Sequence, residues 1–237
     1  MIPLRDDQPR FSKPFVNYAI IAINLVIFVF EVGVGRQSQG ALNALIFEFG
    51  VVPRLITHGL TAHAHVNLLA GLVTILTSMF LHASWLHIIG NMWVLYIFGD
   101  NIEDYLGHFS YLLFYLLCGI AASVAHILLN SASTIPSVGA SGAIAGVMGA
   151  YFLLYPRAKV LTLVPLIVFF TFWRLPAWIV LGYWFLIQFL SGTAIAYSDQ
   201  TKGGGIAFWA HVGGFAAGLI LIKLFPQRAQ RQRYGTW

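Results

Sequence analysis

The sequence predicts an all-α polytopic membrane protein, a bundle of six transmembrane helices joined by a long, partly embedded first loop. Six apolar runs approach the roughly 20 residues a helix needs to cross the hydrocarbon core of a bilayer: residues 15–34, 81–98, 109–129, 138–155, 176–197 and 204–225. Only 9% of residues are charged and the mean hydropathy is +0.79, whereas soluble domains carry about 25% charge.

The first run follows Arg5, Arg10 and Lys13. A secretory signal has an apolar core of about 7–15 residues before a cleavage site. This run of 20 residues is therefore read as a retained span, with residues 1–14 as a cytoplasmic segment. The loop 35–80 is expected to carry short amphipathic helices such as 42–49. Two further apolar runs are expected to be partly embedded or interfacial. Run 66–81 is interrupted by Asn67, Thr74, Thr77 and Ser78. Run 161–172 has Arg157 and Lys159 before it and Arg174 after it, so it returns to the side it left. Residues 15–225 form the domain, and 226–237 a basic cytoplasmic tail.

With six spans, both termini lie on one side. That side holds Arg5, Arg10, Lys13, Arg157, Lys159, Arg174, Lys223, Arg228, Arg231 and Arg233, against Arg36, Arg54 and Lys202 on the other. The positive-inside rule makes the first side cytoplasmic. The basic pI is read as this topology signal, not as nucleic-acid binding. The single Cys118 excludes an internal disulfide, and no Cys-rich metal spacing or cofactor motif occurs.

Spans two, four and six then enter from the outer face. His87, Asn91, Ser141 and His211 lie on them at one depth, on the order of 10 Å below the outer surface. A lone serine in a span most often serves helix packing. Ser141, however, sits among Gly139, Gly142, Gly146 and Gly149 near a helix start. There, small neighbours admit a substrate backbone and free N–H groups suit a developing oxyanion. His211 lies beside Ala210, Gly214 and Gly218, spaced every four residues, a face that permits close helix contact. Packed against Gly142 and Gly146, it would bring an imidazole to the Ser141 hydroxyl, a weak nucleophile until a base takes its proton. No acid lies at comparable depth on span six, so a dyad is expected.

His82, His87 and Asn91 form His-x4-His-x3-Asn, with His87 and Asn91 on one helix face. Such a set can bind zinc, act as interhelical glue or donate hydrogen bonds to an oxyanion. Zinc lacks the accompanying acid of a His-Glu-x-x-His pattern, and His82 is expected to buttress the loop. Asp100, Glu103 and Asp104 lie at the opposite end of span two, where Glu103 and Gly107 are expected to tie the turn between spans two and three. His58, His63 and His65 are placed in the outer loop, where an exposed role is favoured over metal binding, His126 in the bundle or at the interface, and the tryptophans at interfaces or in packing.

Three segments together resemble the bacterial rhomboid intramembrane serine proteases: FLHASWLHIIGNMWVLYIFGDNIEDYLG (80–107), VGASGAIAGVMGAYFLLYPRAKVLTLVP (138–165) and FWAHVGGFAAG (208–218). The resemblance covers about residues 15–225. It implies a six-helix core with a short fourth helix below a water-filled cavity. It implies Ser141 as nucleophile, His211 as general base, and His87 and Asn91 as oxyanion donors with the Ser141 N–H. Gly139 matches the family's glycine two before the serine, and Glu103 with Gly107 its Glu-x3-Gly motif. Two positions depart from the pattern. Ala145 stands where some members pack an aromatic on the histidine ring, and Val73 and Thr74 stand where some carry Trp-Arg.

The expected activity is endopeptidase cleavage in or near the transmembrane segment of single-span proteins that enter from the bilayer. No cofactor, metal or nucleic acid is expected to take part. The expected location is a bacterial plasma membrane. A non-proteolytic membrane-protein binding or quality-control factor is the alternative. A channel is disfavoured by the apolar lower halves of spans four and six, such as Val147, Phe152, Leu219 and Ile220.

Overall fold

The computed structural model describes residues 1–61, 68–165, 169–197 and 207–228. His63, His65 and the first residues of the run 204–225 lie outside them. The elements are β1 (Ile2–Arg5), α1 (Phe15–Gln37), α2 (Gln39–Phe49), α3 (Pro53–Thr61), α4 (Leu68–Thr77) with a 3-10 turn (Ser78–Phe80), α5 (Trp85–Leu106), α6 (His108–Leu129), α7 (Ser141–Leu154), β2 (Lys159–Pro165), β3 (Phe170–Pro176), α8 (Ala177–Tyr197) and α9 (Phe208–Leu221).

α1, α6 and α8 are each long and apolar enough to cross a membrane. Their outward faces keep large apolar side chains exposed, among them Val26, Val29, Phe30, Leu128 and Leu186. Patches of this size suit lipid rather than water. α7 and α9 have 14 residues each, about 21 Å at 1.5 Å per residue. Both are shorter than the predicted runs 138–155 and 204–225. α7 need not reach both surfaces, because Gly142 through Tyr151 are all buried among the other helices.

The glycine faces of α7 and α9 meet as the spacing predicts. A Cβ on Gly214 would overlap the Gly142 carbonyl oxygen, and one on Gly218 would lie 2.7 Å from Gly146 Cα. The backbones touch because no side chain separates them.

Span two starts later and ends later than the predicted 81–98. Ser84 begins α5, its Oγ accepting the His87 N–H at 3.3 Å. The helix runs on through Asp100, Glu103 and Asp104 because the N-terminal segment satisfies those acids. Arg10 pairs with Asp100 at 3.1 Å. Asp104 accepts from the Phe11 N–H at 3.2 Å and from the Ser12 hydroxyl at 2.6 Å. Glu103, fully buried, accepts the Val16 and Asn17 N–H groups at 3.0 and 2.7 Å. It thereby caps α1, whose first turn has no acid of its own. The expected tie between spans two and three is present, with Gly107 at φ +80° donating its N–H to the Glu103 carbonyl at 2.7 Å. The carboxylate reaches span one as well.

In the first loop, the helix expected over 42–49 begins earlier, at Gln39, where Ser38 caps it. The described part of run 66–81 is α4 and the 3-10 turn, bent 79° from α5. Val73 and Thr74 are helical there.

The described part of run 161–172 lies in two β-strands. β2 and β3 pair antiparallel from Lys159↔Pro176 to Pro165↔Phe170, and β1 joins the other edge of β2. The reason is a period of two. Val160, Thr162 and Val164 are buried against the bundle, whereas Leu161 and Leu163 are only partly buried on the opposite face. A reading for apolar length alone passes over that alternation. β1 also runs along α5, where the Trp93 indole N–H donates to the Pro3 carbonyl at 2.7 Å. Residues 1–14 are thus bonded into the fold.

Candidate active site

Ser141 is the first residue of α7. The chain enters it through Gly139 at φ +130°, a conformation that L side chains rarely adopt. The Gly139 N–H donates to the Ser78 carbonyl at 2.8 Å. Val51 and Ser137 exchange backbone hydrogen bonds at 3.0 and 2.8 Å just before it. The first loop therefore fixes the approach to the serine. As the first helical residue, Ser141 keeps a backbone N–H that no intrahelical carbonyl takes.

His211 lies in the first turn of α9. Its Nε2 is 2.7 Å from Ser141 Oγ. Its Nδ1 is 2.7 Å from Oε1 of Gln188 on α8. An amide oxygen only accepts, so Nδ1 carries the proton and Nε2 is left as the acceptor facing the hydroxyl. The Trp184 ring, one turn before Gln188, lies 5.6 Å from the imidazole at a 42° tilt. Ala145, the position at which the resemblance implies an aromatic packed on the ring, is fully buried and contributes only a methyl. The ring is held from α8 instead of α7. Sequence reasoning missed both residues. The available signal was that Gln188 is the only side-chain amide in run 176–197, and polar groups inside spans are costly unless used.

His87 approaches the serine from α5. A Cβ on Gly139 would lie 2.7 Å from His87 Cε1 and Nε2 and 3.6 Å from Ser141 Oγ. The imidazole edge therefore rests on the glycine backbone next to the hydroxyl. Asn91, one turn further along α5, donates from Nδ2 to His82 Nε2 at 3.0 Å. The His82 backbone N–H donates in turn to both carboxylate oxygens of Glu31 at 3.2 and 3.1 Å, and Glu31 is buried on α1. His82, expected to buttress the loop, also fixes the Asn91 amide and leaves it one N–H. His82 and His87 meet edge to face, 5.0 Å between centroids.

A cavity of about 610 Å³ joins these groups, with His87, Asn91, Gly139, Ser141, Gln188 and His211 in its wall. His126 also lines it and lies 3.3 Å from the Asn130 amide. Gly142 lines it as well, and Gly214 lies behind Gly142 in the α7–α9 contact. Glu103 and Gly107 stay at the far end of α5, a structural tie remote from the serine. Among the described residues, no group of three or more His, Cys, Asp or Glu could hold a metal ion.

A model of the Rhomboid domain matches residues 69–228. The chain is 30% identical over 166 residues to Rhomboid protein 1, mitochondrial, of Saccharomyces cerevisiae, across 68% of this chain and 44% of that protein. It is 41% identical over 70 residues to Rhomboid-like protein 11, chloroplastic, of Arabidopsis thaliana, across 30% of this chain and 25% of that one. Identity to Rhomboid protease GluP of Bacillus subtilis is 34% over 141 residues, across 59% of this chain and 24% of the relative. The matched segments cover less than half the length of each of these relatives. His87, Asn91, Ser141, Gln188 and His211 all fall inside the matched stretch, and the chain belongs to the rhomboid family.

Proposed function

We propose that the protein is an intramembrane serine endopeptidase that cleaves single-span membrane proteins in or near their transmembrane segments. The observation that carries this reading is the 2.7 Å approach of His211 Nε2 to Ser141 Oγ, with the opposite ring nitrogen held by Gln188. Ser141 attacks the peptide carbonyl as His211 takes its proton. The oxyanion forms beside the Ser141 N–H, the His87 ring and the free N–H of Asn91. His211 then protonates the leaving amine, and water entering through the cavity hydrolyses the acyl-enzyme.

Family membership supports proteolysis, and so does the likeness to a relative named as a protease. The substrate must present an extended, unwound segment, because a peptide bond inside a helix is sterically shielded. The basic-residue count supports cytoplasmic termini. A bacterial plasma membrane is one host in keeping with the Bacillus relative, and the mitochondrial and chloroplast relatives mark the organellar alternatives.

An activity-based fluorophosphonate tests the site. Labelling of the purified protein should depend on both Ser141 and His211, with Ser141→Ala and His211→Ala each unlabelled. Equal labelling of wild type and Ser141→Ala overturns the assignment. A folded wild-type protein that never labels favours the non-proteolytic alternative.

A further inference from the structure

The three-stranded sheet buries one face against the bundle and leaves the other uncovered. Its register lines up two rows on the uncovered face. Ile2, Leu163 and Phe172 stand opposite one another, and so do Arg5, Leu161 and Arg174. Directly opposed residues share a face. Lys159 shares it too, two residues before Leu161 on β2. The rows are about 7 Å apart along the strands. The row toward Pro165 is apolar, with Ile2 and Phe172 exposed and Phe170 beyond them more exposed still. The row toward the base is cationic.

At the base, Arg5, Lys159 and Arg174 surround a cavity of about 270 Å³, with Asp6 and Asp7 on its wall. Both acids are already engaged. Asp6 accepts from the Tyr151 hydroxyl, and Asp7 accepts the Lys159 backbone N–H at 2.7 Å. Among the described residues, none of the three cationic side chains has a hydrogen bond or ion pair. Three cations around one cavity, without a partner among the described residues, want an anion. The exposed apolar row 7 Å away wants hydrocarbon.

We propose that this face lies against the cytoplasmic leaflet and binds the phosphate of an anionic phospholipid between Arg5, Lys159 and Arg174, with the acyl chains along Ile2, Leu163 and Phe172. Arginine forks match phosphate geometry in two-point contacts, and lysine adds a point charge. The spacing of the rows matches the step from headgroup to acyl chain. β3 runs directly into α8, the helix that holds Gln188. A lipid on this face therefore braces the segment leading to the histidine's support.

The test uses the full chain in neutral detergent, titrated separately with phosphatidylglycerol, phosphatidylcholine and glycerol 3-phosphate. Bound lipid is read by native mass spectrometry and stability by thermal unfolding. Phosphatidylglycerol should be retained and should raise Tm. Phosphatidylcholine and glycerol 3-phosphate should do neither. Arg174→Gln and Lys159→Gln, both at exposed positions, should each weaken retention by about fivefold, the effect of one cation at an anionic surface. Fluorophosphonate labelling of the variants checks that they are folded. Equal retention of phosphatidylglycerol by the wild type and the Arg5→Gln, Lys159→Gln, Arg174→Gln triple variant overturns the proposal. Stabilisation by glycerol 3-phosphate equal to that by phosphatidylglycerol overturns it too, because the site would then take a soluble anion.

Discussion

Gln188 on α8 accepts a hydrogen bond from His211 Nδ1 at 2.7 Å, so the orientation of the α9 histidine is set by a neutral amide on the neighbouring helix. An acid in this place would add charge to the site; the amide selects the tautomer without it. Gln188→Leu should lower kcat by about 10- to 100-fold, below the ~10²–10⁴ that a general base contributes. KM should change little, and Gln188→Glu should restore much of the rate. A variant with unchanged kcat would remove the amide from the arrangement.

Asn91 is held by His82, and His82 by Glu31. Asn91→Ala should reduce kcat by about 10²–10³, the cost of one oxyanion donor. His82→Leu acts through Asn91 and through its edge-to-face contact with His87, so its loss should be smaller than that of Asn91→Ala and should shrink in the Asn91→Ala background. Strictly additive losses in this double-mutant cycle would uncouple the pair.

The α7–α9 contact admits no side chain at Gly218, where a Cβ would overlap the Gly146 carbonyl oxygen. Gly218→Val should destabilise by at least about 3 kcal/mol, the upper end of ordinary overpacking, and should abolish fluorophosphonate labelling. Gly33 on α1 meets open space. Gly33→Ala should leave Tm unchanged or raise it slightly, since alanine favours a helix by about 0.5–1 kcal/mol. Thermal unfolding in detergent compares the two.

Asp6 sits between β1 and α1, and burial raises its carboxyl to about 6 although the Tyr151 hydroxyl opposes the shift. The folded state thus holds a proton that the unfolded chain releases near pH 4. This group's contribution to stability is full below about pH 4 and is lost as pH rises through about 6. Tm measured from pH 4 to 7 should fall across that window more steeply in the wild type than in Asp6→Asn. Matching slopes would show that Asp6 does not titrate there.

The parts legible in sequence were those in which one residue type carries one physical demand. Glycines at four-residue spacing announced the α7–α9 contact, and the order His87, Asn91, Ser141, His211 announced which helices must meet. Gln188 was not legible, because one amide in an apolar span does not say which neighbour it faces. The sheet was hidden because apolar residues dominate both of its faces, Leu161, Leu163 and Phe172 on one and Val160 and Val164 on the other, and only the burial of Val160, Thr162 and Val164 separates them. Glu103 was placed at the right end of α5, but its grip on the Val16 and Asn17 amides depends on how α1 docks.

Cleavage in liposomes bears most directly on the Ser141–His211 dyad. A panel of single-span substrates should be cut by the wild-type protein near or within the membrane segment, and mass spectrometry of the fragments should locate the bond. Ser141→Ala and His211→Ala should leave every substrate intact. Cleavage at the same bond by purified Ser141→Ala protein would contradict the assignment of the nucleophile.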